Sequence, residues 1–353
     1  MRKLLLYPFS LVFGFIIVIR NWLYDWKVFR SQSFDIPVIG IGNLSTGGTG
    51  KTPHAEYLIR LLSVKYKVAT LSRGYGRSTK GFKASTIFST PSEIGDEPLQ
   101  FATKFNNLQV AVDEDRCHGI SELINRYPKL NTIILDDAYQ HRAIKPGLSI
   151  LLTDFYHLYP EDYLLPAGNL REPRSEAKRA DIIIVTKTRK VHSPITRQRL
   201  IDSLKPLPHQ SLYLSYIKYG QIIPALKKEC PLKKGKVANT IFMFAGIANP
   251  YPLEDHLKGL CVDLITLTFP DHHRYSAKDI AGISQSWNDI FTRNKLLVTT
   301  EKDLMRLKEP GIWDLVVNLP LHYIPIEIDF HEGDKEAFDQ QILDYVEKNN
   351  RNR

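Results

Sequence analysis

The sequence predicts a layered α/β protein with a parallel sheet, a smaller second α/β domain and an N-terminal membrane-associating helix. Three observations predict it. Short continuous apolar runs alternate with helical spacing after Pro37, a glycine-rich loop joins the first run to the first helix, and an uncharged stretch opens the chain.

The opening residues read MRKLLLYPFSLVFGFIIVIRNWLYDWKVFR. Leu4 to Ile19 is uncharged, bracketed by Arg2-Lys3 and Arg20, with Trp22, Tyr24 and Trp26 beyond. A membrane span needs about 20 apolar residues, so this run is slightly short. Bulky Ile19-Arg20-Asn21-Trp22 offers no small-residue cleavage site, which argues against a secretory signal. Basic residues and interfacial aromatics suit a helix lying in, or dipping into, the cytoplasmic leaflet; a buried core helix is the alternative. Residues 1–30 are assigned to this membrane-associating helix.

The runs at 36–42, 67–72, 108–112, 131–137, 148–154 and 180–188 are continuously hydrophobic, as parallel strands covered on both faces are. Helical segments fall at 52–64, 97–106, 114–127 and 194–204. Residues 31–225 thus form a main domain with its sites at the carboxyl ends of strands. A lysine-rich break, ALKKECPLKKGK (225–236), precedes a second α/β pattern: VANTIFMFAGIANP, a helix near 276–290 and KLLVTTEKD (295–303). This second domain is expected over 226–353. The alternating runs SLYLSYIKYG (211–220) and LHYIPIEIDF (321–330) are expected to pair as a two-stranded hinge between the domains. Two domains around a cleft suit a transferase that closes on two substrates.

A chain of 353 residues is long enough for two domains. Cys117, Cys230 and Cys261 lie far apart without a CxxC pair, which argues against a disulfide framework or zinc site and fits a reducing compartment. The net charge of +9 favours an anionic partner: nucleic acid, a membrane surface or a phosphorylated substrate. No nucleic-acid recognition motif is present, and no protein partner is identifiable.

The glycine loop GNLSTGGTGKTPH (42–54) nearly fits the phosphate-binding pattern GxxxxGK(S/T). Ser45 stands where the first glycine belongs, and Gly47-Gly48 are added. The loop follows a strand and precedes a helix, as a P-loop must. Its nucleotide-binding stretch is Ser45, Thr46, Gly47, Gly48, Thr49, Gly50, Lys51 and Thr52. The glycines let backbone N–H groups face phosphate oxygens, Lys51 supplies charge to the β- and γ-phosphates, and the Thr52 hydroxyl can ligate Mg²⁺. Asp136 and Asp137, ending the strand at 131–137, offer the metal its carboxylate contact. A guanine-reading NKxD is missing: TKTR (186–189) lacks the aspartate and TEKD (300–303) has Lys302 directly before Asp303. ATP is therefore favoured over GTP.

GNLSTGGTGKTP, SRGYGR (72–77), GDEP (95–98), DDAYQH (136–141), LPAGNLREP (165–173) and FPDHHRY (269–275) follow one another in this order. In these motifs the chain resembles the tetraacyldisaccharide 4'-kinase, or lipid A kinase, family from about residue 4 to residue 303. That family also lacks the first glycine of the general motif. The resemblance implies transfer of the γ-phosphate of ATP, with Mg²⁺, to the 4'-hydroxyl of a tetraacylated glucosamine disaccharide 1-phosphate. The place implied is the cytoplasmic face of the bacterial inner membrane, which suits a membrane-seeking end and a basic excess.

The resemblance makes Asp96 of GDEP the base that meets the sugar hydroxyl; otherwise Asp96 marks a helix start before Pro98. His272 is placed beside it, holding it by a hydrogen bond, while Asp271 either orients His272 or caps the helix near Ser276. Asp136 and Asp137 share the metal role unless one of them holds the loop or His141. Arg73, Arg77 and Arg116 bind either the transferring phosphoryl group or the substrate's 1-phosphate, or else pair with acids on a surface loop. The resemblance sets Arg171 near the nucleotide, stacked on adenine, unless its segment is purely structural. A switch-type NTPase driving a partner protein is the rival reading, and GDEP together with DHH counts against it.

Overall fold

The continuous apolar runs become strands, buried on both faces as parallel geometry requires. The computed structural model describes residues 2–191, 193–226 and 237–351. Its strands are β1 (Val38–Asn43), β2 (Val68–Ser72), β3 (Lys83–Ala84), β4 (Gln109–Val112), β5 (Thr132–Leu135), β6 (Leu148–Asp154) and β7 (Ile182–Thr186). There follow β8 (Ser211–Tyr219), β9 (Ile223–Pro224), β10 (Ala238–Ala245), β11 (Cys261–Thr268), β12 (Lys295–Thr300), β13 (Leu321–Ile324) and β14 (Ile326–Phe330). The helices are α1 (Arg2–Asp25), α2 (Lys51–Ser63), α3 (Pro91–Ile94), α4 (Asp96–Lys104), α5 (Arg116–Arg126) and α6 (Pro194–Leu204). The remaining helices are α7 (Tyr251–Lys258), α8 (Ala277–Asn288), α9 (Glu301–Leu307), α10 (Trp313–Val316) and α11 (Asp334–Arg351). Most of the expected lysine-rich break, residues 227–236 with Cys230, lies outside the described residues.

The first sheet has nine strands in the order β14-β8-β7-β6-β1-β5-β2-β4-β3. It is parallel except at its edges, where β3 and β14 run antiparallel to their neighbours. Strands β2, β4 and β5 lie on one side of β1 and β6 to β8 on the other, so the loop after β1 opens at the switch point of the sheet. On one face, Leu58, Ile59 and Leu62 of α2 meet Ile39 and Ile150, beside Phe338, Ile342 and Val346 of α11. On the other, Ile120 and Leu123 of α5 cover Leu71, Ile133 and Leu135.

The second sheet has five strands, β11-β10-β12-β13-β9, parallel except for β9. Leu253 and Leu257 of α7 pack on one face. The other face carries α8 to α10 and also takes Ile94, Leu99 and Val112 from the first unit. The helix that begins at Asp96 is therefore in apolar contact with both units.

Two expectations change here. The runs at 211–220 and 321–330 do pair, β14 antiparallel to β8, but as the edge of the first sheet and not as a separate hinge. Pro325 cuts the second run, leaving β13 in the second sheet, because proline has no N–H with which to continue a ladder. The chain thus crosses between sheets at 220–222 and at Pro325, and the crossings touch: Gly220 N donates to Pro325 O at 2.9 Å. The second domain expected over 226–353 consequently ends early. Residues 326–351 return to the first sheet, where α11 buries Phe338, Ile342 and Val346 along one face.

Helix α1 inverts the usual surface pattern. Its protein-facing side is small and polar: Ser10 Oγ donates to Leu164 O at 3.0 Å and accepts from Ala167 N at 2.9 Å, and Asn21 is buried. A Cβ on Gly14 would stand 2.7 Å from Leu164 Cδ1, so a larger residue here would have to displace that leucine methyl. Outward, Leu5, Phe9, Val12, Phe15 and Ile16 are 58–73% exposed. That exposure removes the alternative of a buried core helix. By length and composition, α1 is the one described helix able to cross a membrane.

If α11 belongs to the first core, Phe338→Ala should cost about 3–5 kcal/mol of stability. Urea unfolding of the full chain measures this, and an unchanged midpoint would show that α11 is dispensable to the sheet.

Candidate active site

The loop after β1 is shaped by glycine and clamped from both sides. Gly47 and Gly50 adopt φ of 105° and 89°, positions that a side chain would strain, and Gly50 is the N-cap of α2. Thr46 N donates to Asn169 O at 2.7 Å and Arg171 N to Leu44 O at 2.7 Å, so the 165–173 segment lies along the loop. From β7, Thr186 Oγ1 donates to Thr49 O at 2.9 Å. Burial lowers the pKa of His54 to about 4, against the raising effect of its bond to Gly50. The neutral ring then donates from Nδ1 to Gly50 O at 2.7 Å and accepts at Nε2 from Ser215 Oγ at 2.9 Å. The N-terminus of α2 points its dipole at the space the loop encloses.

The two carboxylates that end the β5 segment separate in character. Asp137 lies 3.4 Å from Lys51 Nζ and 3.3 Å from the Arg171 guanidinium. Burial works to raise its pKa, but Lys51 and Arg171 together hold it below the usual range. Arg171 also donates to Asn43 Oδ1 at 2.7 Å and to Ser45 O at 3.3 Å. Here the guanidinium braces Asp137 against the glycine loop. Asp136 is buried, its Oδ1 lacks a hydrogen-bond partner, and its pKa is pushed up to about 7 by burial and then by the charges of Glu97 and Asp137.

Sequence reasoning missed Glu97, which it read only as part of a helix start. Its Oε1 accepts the Thr52 hydroxyl at 2.8 Å and also pairs with Lys302 Nζ at 2.5 Å. Burial opposes its ionisation, yet the Lys302 charge keeps its pKa below the ordinary value.

Asp96 begins α4 after Gly95, whose φ of 93° and ψ of 158° suit glycine alone. Its Oδ1 accepts Glu97 N at 3.0 Å, so the residue both belongs to the helix start and aims a carboxylate outward. Its Oδ2 pairs with Arg306 Nε at 3.0 Å, while His272 Nδ1 stands 3.7 Å away, just beyond a hydrogen bond. Burial raises the Asp96 pKa, but His272, Arg306 and Lys302 outweigh it and keep the carboxyl well below the usual carboxylate range. Arg306, also missed from the sequence, donates to Gly246 O at 2.7 Å and to Asp303 Oδ1 at 3.0 Å. His272 adopts φ of 58°. Asp271 is bonded to its N–H, whereas Ser276 and Asp279 cap α8. His273 is not a free surface residue: Nε2 lies 3.1 Å from Asp279 and the ring stacks on Phe269.

The three expected phosphate-binding arginines divide. The Arg77 side chain is 3% exposed, pairs with Glu114 at 2.7 Å and donates to Gly81 O, so it locks the 73–81 loop. Arg116 is buried at the start of α5, donating to Asp113 O at 2.7 Å. Burial lowers its pKa to about 10 against the opposing charges of Asp137 and Asp136, so it lies within their field. Arg73 is exposed and within the field of Arg116. Gln140 donates to Asn43 O at 2.8 Å. Beside Thr52 and Pro53, an apolar cleft of about 140 Å³ runs between the units, lined by Ile217, Tyr219, Ile247 and Leu253.

This geometry offers a glycine-rich cradle, a carboxylate on the Thr52 hydroxyl with Asp136 in its field, and another carboxylate aimed by an arginine. The sequence profile described as Tetraacyldisaccharide-1-P 4'-kinase matches residues 2–347. The chain belongs to the tetraacyldisaccharide-1-P 4'-kinase family. A tetraacyldisaccharide 4'-kinase of Bacteroides thetaiotaomicron is 44% identical, covering 98% of this chain and 94% of that protein. Its counterpart in Flavobacterium johnsoniae is 43% identical over 99% and 98% of the two chains. Among solved structures, LpxK of Aquifex aeolicus, crystallised in complex with ATP, superposes with a TM-score of 0.74 at 27% identity. That match covers 98% of this chain and 100% of the Aquifex protein. The Aquifex protein thus shares the fold along nearly the whole of this chain.

Asp136 yields a prediction for this family member. Its folded pKa, about 7, exceeds its unfolded value of 3.8, so the stability it contributes is complete below the unfolded value and is lost as pH rises through about 7. Asp136→Asn should therefore raise the melting temperature of the ligand-free protein at pH 8 and change it little at pH 4. Equal shifts at both values would contradict the buried, protonatable carboxyl.

Proposed function

We propose that this chain transfers the γ-phosphate of ATP to the 4'-hydroxyl of tetraacyldisaccharide 1-phosphate in lipid A biosynthesis. One observation carries the reading. Glu97, bonded to the Thr52 hydroxyl at the end of the phosphate loop, is the immediate neighbour of Asp96, so the phosphate end and the acceptor end of a transfer meet within one helical turn.

Lys51 and the 45–50 backbone bind the phosphates of ATP, and the apolar cleft beside Pro53 receives the base. Among the described residues no three His, Cys, Asp or Glu side chains are grouped to hold a metal ion unaided. Mg²⁺ ordinarily uses one or two carboxylates, with phosphates and water completing the shell. The unpartnered Asp136 Oδ1, with Glu97 and the Thr52 hydroxyl, fits that demand. When bound, Mg²⁺ supplies charge neutralisation to the phosphates. Asp137, already matched by Lys51 and Arg171, keeps the loop in place.

Asp96 orients the sugar hydroxyl and accepts its proton. A strongly ionised carboxylate suits this reaction, because in a loose phosphoryl-transfer transition state the acceptor proton leaves late and alignment matters more than basicity. Arg306 fixes the direction of the Asp96 carboxylate, and His272 closes on it from the second unit. Exposed Arg73 faces the anionic groups of the lipid, while buried Arg116 stays within the field of Asp136 and Asp137. The outward apolar face of α1 lies in the cytoplasmic leaflet of the inner membrane, bringing the site to a headgroup whose acyl chains stay in the bilayer.

The test supplies γ-labelled ATP, Mg²⁺ and tetraacyldisaccharide 1-phosphate in mixed micelles. Label should appear in the lipid, and Asp96→Asn should lower kcat by about 10²–10⁴ with a nearly unchanged KM for ATP. Label released only as inorganic phosphate, whether or not lipid is present, would refute the transfer.

A further inference from the structure

Lys302 differs from the other cations around the phosphate loop. It is carried by the first turn of α9 in the second unit, whereas Thr52, Glu97 and Asp136 all belong to the first. Its Nζ pairs with the one Glu97 oxygen that also accepts the Thr52 hydroxyl. Asp96 and Asp136 lie within its field as well. Lys51 is engaged elsewhere, at Asp137 and Asn43. The ammonium therefore sits among the side chains read above as the metal-holding group, compensating a half-buried carboxylate whose charge would otherwise be left unpaired.

We propose that Lys302 is a built-in counter-cation of the divalent-metal site. It occupies Glu97 while the protein is nucleotide-free, keeps a lone divalent ion out, and gives up the carboxylate only to a metal that arrives with nucleotide phosphates. The reasoning is one of competing charges. A lone divalent ion entering here must detach the ammonium from Glu97 and strand it in a partly buried place beside the incoming charge. A metal–nucleotide complex brings its own anions, so the detached ammonium is not left uncompensated. Metal and nucleotide would then bind as one ligand. The inference rests on the assignment of Thr52, Glu97 and Asp136 to the metal.

Mn²⁺ titration of the full-length protein in detergent, followed by electron paramagnetic resonance without nucleotide, tests it. Lys302→Gln and Lys302→Met should bind Mn²⁺ about tenfold or more tighter than wild type, a shift of about 1.4 kcal/mol. Lys302→Arg should stay as weak as wild type, and adding Glu97→Gln to Lys302→Gln should abolish the gain. Circular dichroism melts confirm that each variant is folded. Equal Mn²⁺ affinity in wild type and both neutral variants overturns the role of Lys302. A parallel titration with a non-hydrolysable ATP analogue separates the underlying assignment: if Glu97→Gln leaves Mn²⁺ affinity unchanged there, the metal assignment itself fails. If Glu97→Gln weakens it while the neutral Lys302 variants match wild type without nucleotide, only the counter-cation role falls.

Discussion

Four carboxylates crowd around one glycine-rich loop, and their mutual repulsion governs the surrounding structure. Asp137 is matched by Lys51 and Arg171, Asp96 by Arg306, and Glu97 by Lys302 with the Thr52 hydroxyl. Asp136 alone has a buried oxygen without a partner. Two of these cations, Lys302 and Arg306, come from α9, so the second unit is held to the first by the charges of the site itself. The apolar contact of Leu99 and Ile94 with the second sheet fixes the distance at which those charges meet. A comparable charge joint lies one turn deeper, where Lys104 bridges Glu56 of α2 and Glu301 of α9 at 2.8 and 2.9 Å.

What could be read from the sequence was local. Continuous apolar runs gave β1, β2 and β4 to β7 because burial on both faces leaves a pattern within five or six residues, whereas alternating β8 was expected in a hinge. The phosphate loop was legible because glycine, lysine and threonine act through their own neighbours. Arg306 was not, since it matters only through Asp96, 210 positions earlier in the chain. Glu97 was hidden for a related reason: its chemistry depends on Thr52, which no spacing rule connects to it. Arg77 was legible only as one of two alternatives, because an arginine beside a glycine has the same local signature whether it faces phosphate or pairs, as here, with Glu114. Pro325 was visible as a residue, but its consequence, one run divided between two sheets, depends on where each half finds a partner.

The same distinction applies to α1. Hydropathy identifies an apolar run, but not which side of it meets protein. Ser10, Gly14 and Asn21 lie at helical spacing, and their smallness and polarity fit a tight, hydrogen-bonded seat. The seat includes the segment after β5: Arg142, just past His141, donates to Asn21 O at 2.9 Å, and Arg20 donates to Gln140 O. Gln140 in turn holds Asn43 at the base of the phosphate loop. The apolar N-terminal helix and the glycine loop after β1 are thus two hydrogen bonds apart.

The contact between Gly220 and Pro325 bears on how the chain finds this structure. Strands β8 and β14 are neighbours in space but are separated by the whole second sheet, and joining such distant strands through a coil carries an entropic cost. A second unit that folds early presents its two ends side by side, because the backbone entering it is hydrogen-bonded to the backbone leaving it. For the first sheet, the long excursion then behaves as a short turn. The second unit acts as a folded clasp that sets the register of an edge pair to which it contributes no strand.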